Sequence, residues 1–80
     1  MTEKRVWFKD SEEVENFVSA AGQCDFEIDI FYNRIIIDAK SILGVLSLDL
    51  TRVLTVEYDG ENKEFEAFLE KKSASRRTAA

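Results

Sequence analysis

Few side chains in this sequence have the chemistry to act on a substrate or to carry a transferred group. Ser41 precedes Ile42-Leu43-Gly44-Val45-Leu46 and reads as the residue that opens a short helix, with Lys40 beside it. A serine there can cap the helix by accepting a backbone N–H, which is worth about 1 kcal/mol. It can equally carry a phosphate, whose charge the unpaired N–H groups and dipole of a helix start would stabilise. The residues alone leave both roles open. Cys24 is the single cysteine, so neither an internal disulfide nor a cysteine-rich zinc site can form, and nothing beside it in sequence lowers its pKa. The chain has no histidine, which removes the usual general base and the usual metal ligand. These residues imply no catalytic centre, no metal and no cofactor.

Eighty residues and 9.2 kDa allow one compact domain, with 45% hydrophobic and 34% charged residues. Such a domain buries about 60–65% of the surface that its unfolded chain exposes, leaving little room for a deep cleft besides the core. A net charge of −5 disfavours nucleic acid and anionic lipid as partners. No apolar run approaches a membrane span, and the first residues, Met1-Thr2-Glu3-Lys4-Arg5, lead into no signal-peptide core. A reducing cytoplasm and a protein partner are the expectation.

The elements that must position Ser41 follow from periodicity. Lys4 to Phe8 predicts a short strand, and Asp10-Ser11-Glu12-Glu13 a helix start, with Asp10 as N-cap and Glu13 completing a capping box. Val14, Phe17, Val18 and Ala21 form one apolar stripe, and Gly22 is placed to end the helix in a left-handed conformation. Asp25 to Tyr32 alternates, with Phe26, Ile28 and Ile30 on one face. A tight turn at Asn33 then leads into a strand through Arg34-Ile35-Ile36-Ile37. Ala39 to Leu46 predicts the short helix capped by Ser41. Val53 to Tyr58 alternates again, and after Asp59-Gly60 the residues Phe65, Phe68 and Leu69 mark a last helix. The order implies an α+β fold, a four-stranded antiparallel sheet with three helices on one face. Residues 1–72 are expected to form the domain and 73–80 a flexible tail, in which Arg76-Arg77 is too short a basic cluster to signal nucleic acid.

Lys40-Ser41-Ile42-Leu43-Gly44-Val45-Leu46-Ser47-Leu48 resembles HPr, the phosphocarrier protein of the bacterial sugar phosphotransferase system. That family carries Lys-Ser-Ile-Met-Gly, two apolar residues, Ser and Leu at this point, and its element order matches from Val6 to about Lys72. The resemblance implies the open-faced β-sandwich. It also implies that Ser41 is the serine phosphorylated by HPr kinase with ATP, a form that binds a transcriptional regulator. Lys40, Ile42, Leu43 and Leu46 correspond to the family's docking surface for protein partners. On the residues alone, Val45 and Ile42 read as core, and Leu43 and Leu46 as exposed anchors.

The departures are equally specific. HPr has a Gly-x-His-Ala-Arg-Pro loop before its first helix, and here only Lys9-Asp10 stands there, with Ser11-Glu12 opening the helix. Phosphorelay through histidine is therefore chemically excluded, while the resemblance extends to catabolite repression HPr, which also lacks that histidine and keeps the serine. The missing arginine argues against a simple copy of the corepressor role. The link Asp49-Leu50-Thr51-Arg52 is shorter than usual and lacks a glycine. Three readings follow: a non-catalytic interaction module, with HPr kinase or a regulator as partner; a phosphocarrier using Asp10 as acceptor; and a paralogue that has lost regulated binding.

Overall fold

In the computed structural model, which describes residues 1–73, the elements run β1 (Thr2–Val6), α1 (Ser11–Gly22), β2 (Ile28–Tyr32), β3 (Ile35–Asp38), α2 (Ile42–Leu46), β4 (Leu54–Tyr58) and α3 (Lys63–Lys71). The four strands form one antiparallel sheet in the order β1-β4-β2-β3. Alternation decides which face is covered. Val6, Ile28, Ile30, Leu54, Val56 and Tyr58 point to the helices and are buried, while Glu3, Arg5, Asp29, Ile36 and Asp38 lie on the open face. The α+β architecture with three helices over one face matches the sequence reading.

The core is aromatic at its centre. The Phe17 ring lies 5.3 Å from Phe8 and 6.1 Å from Phe65, and Tyr58 meets Phe65 edge-on at 5.4 Å. The α1 stripe is delivered as expected, with Val14, Phe17 and Ala21 buried and Val18 packed at the margin.

Several boundaries differ from the sequence reading, each for a physical reason. β1 spans Thr2–Val6 rather than Lys4–Phe8, because its partner β4 begins at Leu54, opposite Val6. Beyond Val6 the Trp7 N–H donates to the Lys72 carbonyl at 3.1 Å. β2 starts at Ile28, not Asp25: Phe26 leaves the ladder and stacks on Tyr58 at 5.8 Å. Asn33 makes the turn in the left-handed region, with φ 53°, and closes a two-residue hairpin between Tyr32 and Ile35.

Asp10 caps α1, its Oδ1 accepting from the Glu13 N–H at 3.0 Å. The return bond of the capping box comes from Lys9, whose N–H donates to Glu13 Oε1 at 2.8 Å, one residue earlier than the pattern predicts. Gly22 is not left-handed. It is the last residue of α1, and Gln23 ends the helix in ordinary right-handed geometry, its N–H donating to the Ala20 carbonyl while the Cys24 N–H donates to Ala21. Ser73, where the sequence reading began the tail, forms an antiparallel bridge with Val6, and residues 74–80, including Arg76-Arg77, lie outside the described residues. Among the described residues no helix is long and apolar enough to cross a membrane.

Candidate functional site

α2 is held at both ends by its own side chains. Ser41 is extended (φ −101°, ψ 107°) and its Oγ accepts from the Gly44 N–H at 3.2 Å. Its N–H donates to the Asp38 carbonyl at 3.0 Å, and the Lys40 N–H donates to Asp38 Oδ1 at 2.9 Å. β3 therefore hands the chain to α2 through Asp38, a residue that sequence reasoning left unassigned. At the other end the Ser47 hydroxyl donates to the Gly44 carbonyl at 2.6 Å. Val45 is the one residue of α2 that is fully buried, and Leu48 beyond it joins the core.

The remaining apolar side chains of α2 face solvent. Leu43 is 80% exposed, and Ile42 and Leu46 are more than a third exposed. Ile42 was expected in the core. A helix of five residues has only one face to bury, and Val45 occupies it, so Ile42 joins Leu43 and Leu46 outside. Lys40 behaves differently from its neighbours. It is half-buried, and its Nζ donates to the Cys24 carbonyl at 2.9 Å, which ties the approach to α2 to the loop after α1. Gly44 allows α2 to approach β3: a Cβ there would stand 2.7 Å from Ile37 Cγ2.

Cys24 is buried and its Sγ donates to the Ala20 carbonyl at 3.6 Å. Burial pushes the thiol up from its ordinary range, and Asp25 adds to this while Lys40 opposes it, so the side chain is a small core residue rather than a nucleophile.

The second region of interest is the join between β1 and α1. An open groove of about 340 Å³ lies there, lined by Trp7, Phe8, Lys9, Asp10, Ser11, Leu50 and Thr51. Asp10 turns one carboxylate oxygen into the helix as its cap. The short link beside the groove is folded by Asp49, which accepts from the Thr51 N–H and hydroxyl at 3.1 and 2.6 Å and from Arg52 Nε at 3.2 Å. The Thr51 bonds, with a smaller contribution from Arg52, hold the Asp49 carboxyl below the usual carboxylate range. Among the described residues no group of three or more His, Cys, Asp or Glu side chains is placed to hold a metal ion.

Comparison of the whole fold with solved structures gives a consistent answer. The structure superimposes on the phosphocarrier protein HPr from Bacillus anthracis with a TM-score of 0.73 and 26% identity, covering 90% of this chain and 96% of that one. The fold is HPr-like. A second HPr structure, HPr-C-His from Thermoanaerobacter tengcongensis, matches with a TM-score of 0.72 and 23% identity over 89% of both chains. No protein-family model matches the sequence, and no curated protein matches it. The HPr-like fold thus survives in a sequence whose β1–α1 join carries Lys9-Asp10 and which contains no histidine.

Proposed function

We propose that this HPr-like chain is a non-catalytic protein-binding module related to the phosphoenolpyruvate-dependent sugar phosphotransferase system, and that it docks a partner through α2, with phosphorylation of Ser41 as the switch. The observation that carries this reading is the 80% exposure of Leu43, in the first turn of a helix whose capping serine is itself exposed. A small domain that leaves three large apolar residues of a five-residue helix in water has a reason to keep them there. Ile42, Leu43 and Leu46 supply the apolar contact, and Lys40 supplies a positive charge from its tether on Cys24. A phosphate on Ser41 would add about two negative charges beside that patch, opposing an apolar partner and favouring a basic one. HPr kinase or a regulator of the kind that binds phosphoserine HPr fits these requirements. Residues 1–72 form the working unit in this reading, in a reducing cytoplasm.

Amide chemical-shift mapping tests the docking surface. Titrating isotopically labelled protein with HPr kinase should move the resonances of Ser41 to Leu48 first, and Leu43→Asp should abolish the shifts while leaving the rest of the spectrum unchanged. Shifts centred on the open sheet face, or none at kinase concentrations that bind HPr, would refute the reading.

A further inference from the structure

The sheet has two edges, and they are treated differently. β1 is covered along part of its edge: Ser73 bridges Val6, and the Trp7 N–H is bonded to Lys72. β3 is the other edge strand, and no described strand lies beyond it. Its pairing with β2 fixes which backbone groups point outward. The Ala39 N–H donates to the Ile28 carbonyl at 2.9 Å, so Ile28 and Ala39 are a hydrogen-bonded pair, and alternation makes Ile30–Ile37 and Tyr32–Ile35 hydrogen-bonded pairs too. Ile36 falls between them. Its N–H and carbonyl therefore point away from β2 toward open solvent, as does the Asp38 N–H. The Ile36 side chain is 63% exposed and Ile35 47%. Natural edges are blunted by proline, lysine or a bulge, and this one carries none of them.

The residues along this edge read Arg34-Ile35-Ile36-Ile37-Asp38. We infer that β3 pairs with β3 of a second copy of this chain, antiparallel about a twofold axis through Ile36. This register places Ile36 against the partner's Ile36, Ile35 against the partner's Ile37, and Arg34 against the partner's Asp38, twice by symmetry. Ile36, whose backbone groups face outward, becomes the central hydrogen-bonded pair. A shift of two residues in either direction keeps the backbone pattern but separates arginine from aspartate, so charge selects the register.

A second observation supports a cation at this position. Glu3, Glu57, Asp29 and Asp38 are consecutive partners across all four strands, a row of carboxylates on the open face with strands about 4.8 Å apart. A bond shared with Glu3, burial, and the charges of Glu3 and Asp29 raise the Glu57 carboxyl above the usual range, the sign of repulsion along the row. The row ends at Asp38, on the free edge, where the partner's Arg34 would continue it with a positive charge. Arg34 forms no ion pair with a described residue. This pairing is independent of the Ser41 reading, since its residues lie on the sheet edge.

Sedimentation equilibrium of the full chain tests it. The interface is short, so the expected result is mostly monomer at about 5 µM and dimer at about 0.5 mM. Arg34→Asp and Ile36→Lys should each weaken the dimer by roughly tenfold or more. Asp38→Lys should do the same, and mixing it with Arg34→Asp should restore a heterodimer, because both opposite-charge pairs then re-form. Should Asp38→Lys fail to fold, Arg34→Asp and Ile36→Lys decide the matter. A parent that stays monomeric at about 0.5 mM, a dimer indifferent to Arg34→Asp, or a folded mixture that fails to associate would each overturn the inference.

Discussion

Glu13 and Lys72 are 59 positions apart in the chain and 2.7 Å apart in space, the Lys72 ammonium donating to Glu13 Oε2. Glu13 stands in the first turn of α1, and Lys72 caps the end of α3. The second carboxylate oxygen of Glu13 accepts the Lys9 N–H, and the Lys72 carbonyl accepts the Trp7 N–H. One ion pair thus fastens the last helix to the join between β1 and α1.

Glu13→Gln should cost about 1–2 kcal/mol of stability at neutral pH. The Lys72 bond, with help from the Lys9 N–H, holds the Glu13 carboxyl below its ordinary range despite the opposing effect of burial. A folded-state pKa lower than the unfolded one stabilises the protein above the unfolded value, and that stabilisation is lost as pH falls through the folded value. Urea midpoints of parent and variant should therefore differ at pH 7 and converge as the pH is lowered through the folded-state pKa of Glu13.

Alanine should have opposite effects at two glycines. Gly22 lies in the last turn of α1 with ordinary φ and nothing within 4 Å of an added Cβ, so Gly22→Ala should stabilise by about 0.5–1 kcal/mol. At Gly44 the added Cβ would meet Ile37 Cγ2 at 2.7 Å, and relieving that contact requires Ile37 or the whole of α2 to shift. Gly44→Ala should destabilise by about 1–2 kcal/mol, even after the gain in helix propensity. Thermal melts of both variants would settle the pair of signs.

Tyr58 buries its ring between Phe26 and Phe65, and its hydroxyl has no hydrogen-bond partner among the described residues. Burial, then the nearby Glu66 and Cys24, raise its pKa above the usual phenol value. Tyr58→Phe keeps the ring contacts and removes an unsatisfied polar atom. It should raise stability by about 1 kcal/mol, read from the urea midpoint at unchanged slope.

Helix existence, the succession of elements along the chain and the inward-facing residues were legible in the sequence because a single amphipathic period governs each element, whereas the sheet order β1-β4-β2-β3 was not. Val14-Phe17-Ala21 and Leu54-Val56-Tyr58 could be buried in only one way. What escaped sequence reading was set by pairing between distant segments. Where β1 stops depends on Leu54, and whether Phe26 joins a strand depends on Tyr58 and Gly60, where an added Cβ would strike the Phe26 ring at 2.4 Å.

At the site, the cap at Ser41 and the exposure of Leu43 and Leu46 follow from sequence, since four apolar residues in five positions cannot share one face of a short helix. The outward placement of Ile42, the tether of Lys40 to Cys24 and the role of Asp38 do not. Each depends on how α2 is rotated against β3, which Gly44 and Ile37 set together. The self-complementary order of Arg34 to Asp38 was present in the sequence, but it acquires meaning only once β3 is known to be an edge.

The central claim is that Ser41 is a switch and not only a cap. Incubation of the protein and of Ser41→Ala with HPr kinase and ATP, followed by intact-mass measurement, tests it most directly. The account predicts that the parent gains one phosphate and the variant none. A parent that stays unmodified under conditions that phosphorylate HPr, or a variant modified to the same extent, would contradict it and leave Ser41 as the N-cap of α2.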